Sequence, residues 1–225
     1  MGRGCGRCKN VITVLSAKET YENQAPLAED EARTAWEAFT REDDIAPFEW
    51  LYRNSITTLL DYSYKISGER SLAEDAVQNV FTYLLQHRRQ LPVPRSVKYY
   101  LLRCVRNELI KLLKRHRKEL PAQELFDTVL QLEPSLQTPA LETYLQKEQL
   151  SVLQHYINQL PNRQKEVIYL RFFHGLGYEE IAAIMDIDQK SAYKTVYKAL
   201  DTLRQLLPGP SLGCLCFILQ ASRHI

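Results

Sequence analysis

The sequence predicts an all-α protein made of two small helical domains that are joined by a flexible acidic linker. Apolar residues recur at three- and four-residue steps along most of the chain, and no long stretch shows the alternation of a strand. Prolines fall between these periodic segments and divide them. With 225 residues the chain is long enough for two such units. We expect a disordered extension over residues 1–30, helical domains over 31–118 and 141–207, a linker over 119–140 and an apolar tail over 208–225.

The first domain is predicted to open with two helices that share one apolar face. They are separated near Pro47, which suits a first helical turn because the N–H that proline lacks has no partner there. Apolar residues at helical spacing mark the buried side: Trp36, Phe39, Phe48, Leu51, Tyr52, Leu59 and Leu60. A third helix is expected after Gly68, with Ser71 as its N-cap and Glu74 completing a capping box. Its polar residues then stand opposite an apolar stripe.

A long basic helix is predicted next. Pro92 and Pro94 interrupt the chain, and Ser96 can cap a helix that runs to about Lys118. Residues 88–118 hold eleven lysines and arginines against a single acidic residue. Although the net charge of the whole chain is only +2, this block is concentrated enough to attract the phosphates of a nucleic acid. The acidic stretch that follows is punctuated by prolines, which indicates a linker.

The second domain is predicted to contain a helix-turn-helix. Its helices are expected from about Thr138 to Leu160, Pro161 to Phe173, Tyr178 to Met185 and Gln189 to about Leu206. A short turn joins the last two, and Asp188 in this turn is placed as an N-cap. The last helix would turn donors and aromatic rings toward DNA: Gln189, Lys190, Ser191, Tyr193, Lys194, Tyr197 and Lys198. The spacing alone also fits a plain helical hairpin with a solvated basic face.

Neither the cysteines nor the two ends of the chain indicate a catalytic site. The five cysteines lack the spacing of a disulfide framework or of a four-ligand zinc site, which favours a reducing cytoplasm. Cys5 and Cys8 lie either in a disordered end or in a small metal site. The apolar residues 212–219 are too few to span a bilayer and form either a local tail or a docking segment. We expect no metal and no cofactor.

Three stretches of the sequence carry a resemblance to a known family. Residues 71–81 are SLAEDAVQNVF, residues 100–107 are YLLRCVRN and residues 160–185 are LPNRQKEVIYLRFFHGLGYEEIAAIM. The first two resemble the polymerase-gripping and promoter-melting segments in region 2 of the sigma-70 family of bacterial RNA polymerase sigma factors. The third resembles region 4 of that family. Because residues 119–140 are too short and too acidic for a region 3 domain, the chain resembles the small extracytoplasmic-function (ECF) members.

The resemblance implies a cytoplasmic subunit of bacterial transcription that is not an enzyme. It would bind core RNA polymerase at the β′ clamp and the β flap, with Asp75, Gln78 and Phe81 on the clamp, although Phe81 is also expected to be half core. Recognition and melting of the −10 element would fall to Arg88, Arg89, Arg95, Lys98, Tyr99, Tyr100, Arg103, Arg106, Asn107 and Lys111. The exposed residues of the last helix would read the −35 element. The family also suggests a membrane-bound anti-sigma factor as a partner, and no small-molecule substrate.

Three residues depart from the family pattern. Asp186 replaces the glycine usual at the helix-turn-helix corner, where aspartate tolerates a left-handed backbone better than most residues. Tyr193 stands where lysine is commoner, which leaves the −35 sequence open. Tyr100 stands where tryptophan is usual, and Tyr99 beside it either shares its role or merely packs. The alternative function, a stand-alone helix-turn-helix regulator, explains the last helix but not residues 71–81.

Overall fold

The computed structural model describes residues 28–42, 44–116 and 147–206, and every regular element within these stretches is helical. The all-α prediction is confirmed for them. The chain separates into two compact units, one formed by residues up to 118 and the other by residues from 119 onward. None of the helices in the described stretches is long and apolar enough to cross a bilayer. The pair Cys5 and Cys8, the acidic linker and the apolar tail lie outside the described residues.

The described residues of the first unit form four helices. They are α1 (Glu29–Arg41), α2 (Ala46–Ser67), α3 (Arg70–His87) and α4 (Val97–His116), with a 3₁₀ turn (Arg88–Gln90) after α3. Helices α2, α3 and α4 pack against one another, and α1 packs on α2 and α4. Aromatic rings run through the core, where Phe48 lies 5.3 Å from Phe39 and 5.8 Å from Phe81 between ring centroids. Contacts at these distances stabilise the core beyond simple area burial.

Local sequence signals explain where α2 and α4 begin and end. Pro47 lies in the first turn of α2, as predicted. Helix α2 ends at Ser67, and Gly68 after it has a left-handed backbone (φ 65°) that a side chain would disfavour. Ser96 caps α4 as predicted, since its Oγ accepts the Tyr99 N–H at 3.2 Å.

The predicted capping box of α3 is wrong. The N-cap is Glu69, and its carbonyl accepts the first helical hydrogen bond from the Ala73 N–H at 3.1 Å. Ser71 lies inside the first turn and donates to the Glu69 carboxylate at 2.9 Å. Glu74 pairs with the Arg70 guanidinium at 2.8 Å. The box fails because α3 already begins at Arg70, which places Ser71 inside the helix and not at the N-cap.

The second unit contains four described helices and one π-helical turn. They are α5 (Lys147–Asn158), α6 (Asn162–Ile168), the π turn (Tyr169–Phe173), α7 (Tyr178–Met185) and α8 (Gln189–Leu206). Helix α8 packs on α6 and α7. The predicted bounds of α7 and α8 are confirmed, whereas the helix expected from Pro161 to Phe173 divides into α6 and the π turn. The wider turn is closed by the His174 N–H, which donates to the Tyr169 carbonyl at 3.3 Å.

The inward faces of α7 and α8 are those that the periodicity predicts. The apolar residues assigned to these faces are all buried: Ile181, Ala182, Met185, Ala192, Val196, Ala199, Leu200 and Leu203. Leu207, assigned to the same face, lies outside the described residues. The opposite side of α8 carries exposed side chains in the described part of this unit.

Candidate nucleic-acid interfaces

Asp186 forms the corner between α7 and α8. Its backbone is left-handed (φ 55°, ψ 51°), and among the described residues it is the one non-glycine residue with a positive φ. The N–H groups of Asp186 and Ile187 both donate to the Ala182 carbonyl, which closes α7 and turns the chain. The expectation that aspartate preserves this corner is confirmed.

Asp188 caps the N-terminus of α8, as predicted. One carboxylate oxygen accepts the Ser191 N–H at 2.9 Å and the other accepts the Ser191 hydroxyl at 2.5 Å. These hydrogen bonds hold the pKa of the Asp188 carboxyl below its ordinary value. Ser191, predicted to contact DNA, thus has its hydroxyl bound to the cap in this structure.

The exposed side of α8 carries two parallel rows of side chains. Lys190, Lys194 and Lys198 form a lysine row, with a four-residue spacing that places all three on one stripe of the helix. None of the three forms an ion pair with a described residue. Tyr193 and Tyr197 lie beside them, and Gln189 at the first turn is also exposed. This face offers cations for phosphates together with aromatic surface.

The two tyrosines of α8 continue onto α7. The Tyr193 ring lies 4.3 Å from that of Tyr197 and 5.2 Å from that of Tyr178, and we call these three the tyrosine row. A hydrogen bond with Tyr197 raises the pKa of Tyr193. At the other end, the Arg171 guanidinium lies 5.0 Å from the Tyr178 ring centroid and donates to the Leu176 carbonyl at 2.8 Å. The π turn thus supplies a cation that packs on Tyr178, the member of the tyrosine row that lies on α7.

In the first unit, α1 fixes the loop between the 3₁₀ turn and α4. The Trp36 indole N–H donates to the Pro92 carbonyl at 3.1 Å. The Val97 N–H, the first of α4, donates to the Glu29 carboxylate. A carboxylate at a helix N-terminus is favoured by the helix dipole. The loop predicted to meet the −10 element is therefore held at both ends by α1.

Tyr99 and Tyr100 occupy different environments at the start of α4. The Tyr100 ring meets Trp36 edge to face at 5.1 Å, and partial burial together with Cys104 raises the pKa of Tyr100 to about 12. The Tyr99 hydroxyl instead accepts a hydrogen bond from the Arg103 guanidinium at 3.4 Å. Both side chains stay partly exposed. Each ring is positioned by a neighbour and still reaches the surface.

The residues predicted for the −10 element differ in exposure. Along the 3₁₀ turn, the loop and α4, the exposed ones are Arg89, Arg95, Arg103, Asn107 and Lys111, and Arg88 and Lys98 are partly exposed. Arg106 is only 5% exposed. It lies among core residues of α4 and is not part of the exposed basic face.

The three residues predicted to contact the polymerase also differ in exposure. Asp75 and Gln78 are exposed on α3. Phe81 is completely buried and packs on Phe48 and Tyr52, with ring centroids 5.8 and 4.9 Å away. Phe81 thus belongs to the core beneath α3, and only Asp75 and Gln78 belong to the exposed polar face.

Several positioning residues were not predicted. Glu29 and Arg171 act through contacts that the sequence does not display, and Trp36 was assigned only to the core. Tyr83 is 53% exposed on α3 and stacks on His87 at 4.2 Å, close to the 3₁₀ turn. The signal that could have marked Tyr83 is an aromatic residue on the otherwise polar face of α3.

Comparison with known proteins assigns both units. The family model of sigma-70 region 2 matches residues 51–119, and that of sigma-70 region 4 matches residues 150–203. The ECF RNA polymerase sigma factor SigM of Bacillus subtilis is 24% identical over 157 residues, which cover 69% of this chain and 92% of SigM. RNA polymerase sigma factor SigZ of the same organism is 25% identical over 157 residues, 70% of this chain and 81% of SigZ.

A solved structure has the same fold. It is the sigma factor RpoE in complex with the anti-sigma factor NepR from Bartonella quintana, with a TM-score of 0.52 and 21% identity, covering 71% of this chain and 95% of that one. Region 2 matches the unit with the basic helix, and region 4 matches the unit with the helix-turn-helix. On these matches, in the order of the family, this chain belongs to the sigma-70 family of RNA polymerase sigma factors, in its ECF group.

Proposed function

We propose that this protein binds core RNA polymerase in the bacterial cytoplasm and directs promoter-specific initiation of transcription, with no catalysis of its own. The first unit meets the −10 element and the second meets the −35 element. The proposal rests on the presence of both family regions in one chain. It is supported by the exposed lysines on α8, which follow the left-handed corner of the helix-turn-helix. An anti-sigma factor is proposed as a further partner, because RpoE, which shares the fold, was solved with one.

The proposal is tested by reconstitution. Core polymerase mixed with the full chain should produce discrete transcripts from genomic fragments that core polymerase alone does not produce. A stand-alone regulator would instead bind duplex DNA without polymerase, as a dimer on paired half-sites. DNA binding that is independent of core polymerase, with no new transcripts, would favour that alternative.

The polymerase-binding face is proposed to be the exposed side of α3, supported from beneath by Phe81. Changing both Asp75→Ala and Gln78→Ala should leave helicity unchanged, because neither side chain packs in the core. Capture of core polymerase should fall by at least tenfold. Glu31→Ala, which removes an exposed carboxylate from α1, is the matched control and should capture normally. Wild-type capture by the double variant would remove this face from the proposal.

The lysine row is proposed to contact the phosphates of the −35 duplex. Replacing Lys190, Lys194 and Lys198 with alanine should lower the slope of log affinity against log salt by about three units, roughly one for each lost phosphate contact. The slope is measured for the holoenzyme on promoter DNA over a salt series. Arg33→Ala with Arg41→Ala, which removes exposed cations from α1, should leave the slope unchanged. An unchanged slope in the lysine variant would show that this face does not meet DNA.

A further inference from the structure

The tyrosine row presents exposed aromatic surface on the described part of the second unit. Tyr193 and Tyr197 are 46% and 51% exposed, and they stand on the side of α8 that faces away from the core. A run of exposed rings on an otherwise charged face is the kind of apolar patch that marks a contact. The Arg171 guanidinium also packs on the Tyr178 ring and so holds the α7 end of the tyrosine row in place.

The chemistry of the row limits what it can recognise. The Tyr193 and Tyr197 rings lie side by side, with centroids 4.3 Å apart, and about half of each side chain is exposed. Most of what such a pair offers to a partner is ring surface, since each phenol carries a single hydroxyl. The lysine row beside it supplies cations for phosphates, which carry no sequence information. The tyrosine row is left as the apolar part of the same face.

In the major groove of duplex DNA, one base carries an apolar group. Thymine presents its C5-methyl group there beside its O4 acceptor, while guanine, adenine and cytosine present hydrogen-bond donors and acceptors without a methyl group. Residues near the N-terminus of a recognition helix are the ones that reach base edges. Tyr193 lies in the second turn of α8, within that reach.

We propose that the tyrosine row determines the sequence preference of the second unit by packing against the C5-methyl groups of thymines in the −35 element. This inference rests on the proposed function, because it needs α8 to lie in the major groove. It differs from an arrangement in which the rings pack along the sugars, since that contact would not distinguish thymine from uracil.

The experiment uses the holoenzyme and two forms of one duplex. Promoter duplexes are selected by the holoenzyme from a pool with a randomised −35 window, and the best binder is then made with deoxyuracil in place of every thymine in the window. Deoxyuracil keeps the base pair and lacks only the methyl group. Each methyl buried against a ring should be worth about 3- to 4-fold in affinity. The thymine duplex should therefore bind more tightly by at least that ratio.

Two variants assign the effect to the row. In Tyr193→Ala with Tyr197→Ala the thymine-to-uracil ratio should fall to about one. Because both rings are half exposed, their removal leaves the core intact. Tyr193→Phe with Tyr197→Phe should keep the ratio. As a matched control on the same helix, Lys194→Ala with Lys198→Ala should weaken both duplexes alike and leave the ratio unchanged.

The outcomes distinguish failure of the role of the tyrosine row from failure of the proposed function. Selected windows without thymine, a wild-type ratio of one, or a ratio that survives loss of both rings would each overturn the role of the tyrosine row. In those cases binding that still weakens in the lysine variant would leave the proposed function standing. A holoenzyme that shows no preference within the window and no response to the lysine variant would overturn both.

Discussion

Replacing Trp36 with alanine should destabilise the first unit by about 3–5 kcal/mol, the usual range for loss of a buried tryptophan. Trp36 is completely buried, and its ring lies 6.1 Å from Phe39 and 5.1 Å from Tyr100. The substitution also leaves the Pro92 carbonyl without its indole donor. The cavity and the lost hydrogen bond should both weaken the contact between α1 and the loop.

Urea unfolding followed by tryptophan fluorescence measures this loss. The chain has two tryptophans, Trp36 and Trp50, and both belong to the first unit, so Trp50 reports on that unit alone in the variant. Trp36→Phe, which keeps a ring but not the N–H, should lose less than the alanine variant. The exposed Thr57→Ala is the surface control. An alanine variant that unfolds at the same urea concentration as this control would contradict the central place of Trp36.

Holoenzyme that carries Tyr99→Ala and Tyr100→Ala should bind a closed promoter yet open it poorly. Stacking of a base on an aromatic ring is worth about 1–3 kcal/mol by alanine substitution, so opening should fall roughly 5- to 150-fold for each base that loses a ring. Tyr99→Phe with Tyr100→Phe keeps both rings and should open normally. This pair of variants therefore separates the contribution of the rings from that of the hydroxyls, one of which accepts a hydrogen bond from Arg103.

Permanganate reactivity of the −10 thymines measures opening on duplex templates. On a premelted bubble the strands are supplied open, so much of the lost transcription should return. If the double alanine variant opens duplex promoters as well as the wild type, the tyrosines serve the core and not the strand. If transcription fails equally on the bubble, the defect lies in a later step than melting.

Periodicity and caps were sufficient to predict most of the fold. The apolar spacing located α7 and α8, and the short polar side chains of Ser96 and Asp188 marked two helix starts, because both signals depend on neighbours along the chain. Ser71 misled for the same reason. A serine followed by a glutamate matches a capping box, but α3 begins at Arg70, two residues before the start that this box would give.

The parts of the site that depend on distant residues could not be predicted. Nothing near Glu29 indicates that its carboxylate meets the first N–H of α4, and nothing near Arg171 indicates a ring above it. Arg106 shows the converse: it was grouped with its basic neighbours by charge, yet its position on α4 turns it into the core. Sequence patterns report which face a residue occupies more faithfully than which partner it meets there.

The bonds that fix the loop before α4 also determine when that loop takes its shape. Trp36 and Pro92 are 56 residues apart in the chain, and Glu29 and Val97 are 68 apart. Closing segments of this length costs chain entropy before any contact is gained. On the ribosome, α1 emerges long before the residues that it holds. A chain whose synthesis stops short of α4 has neither the contacts that fix the loop nor the basic helix, so the first unit gains its exposed basic face only after α4 has been made.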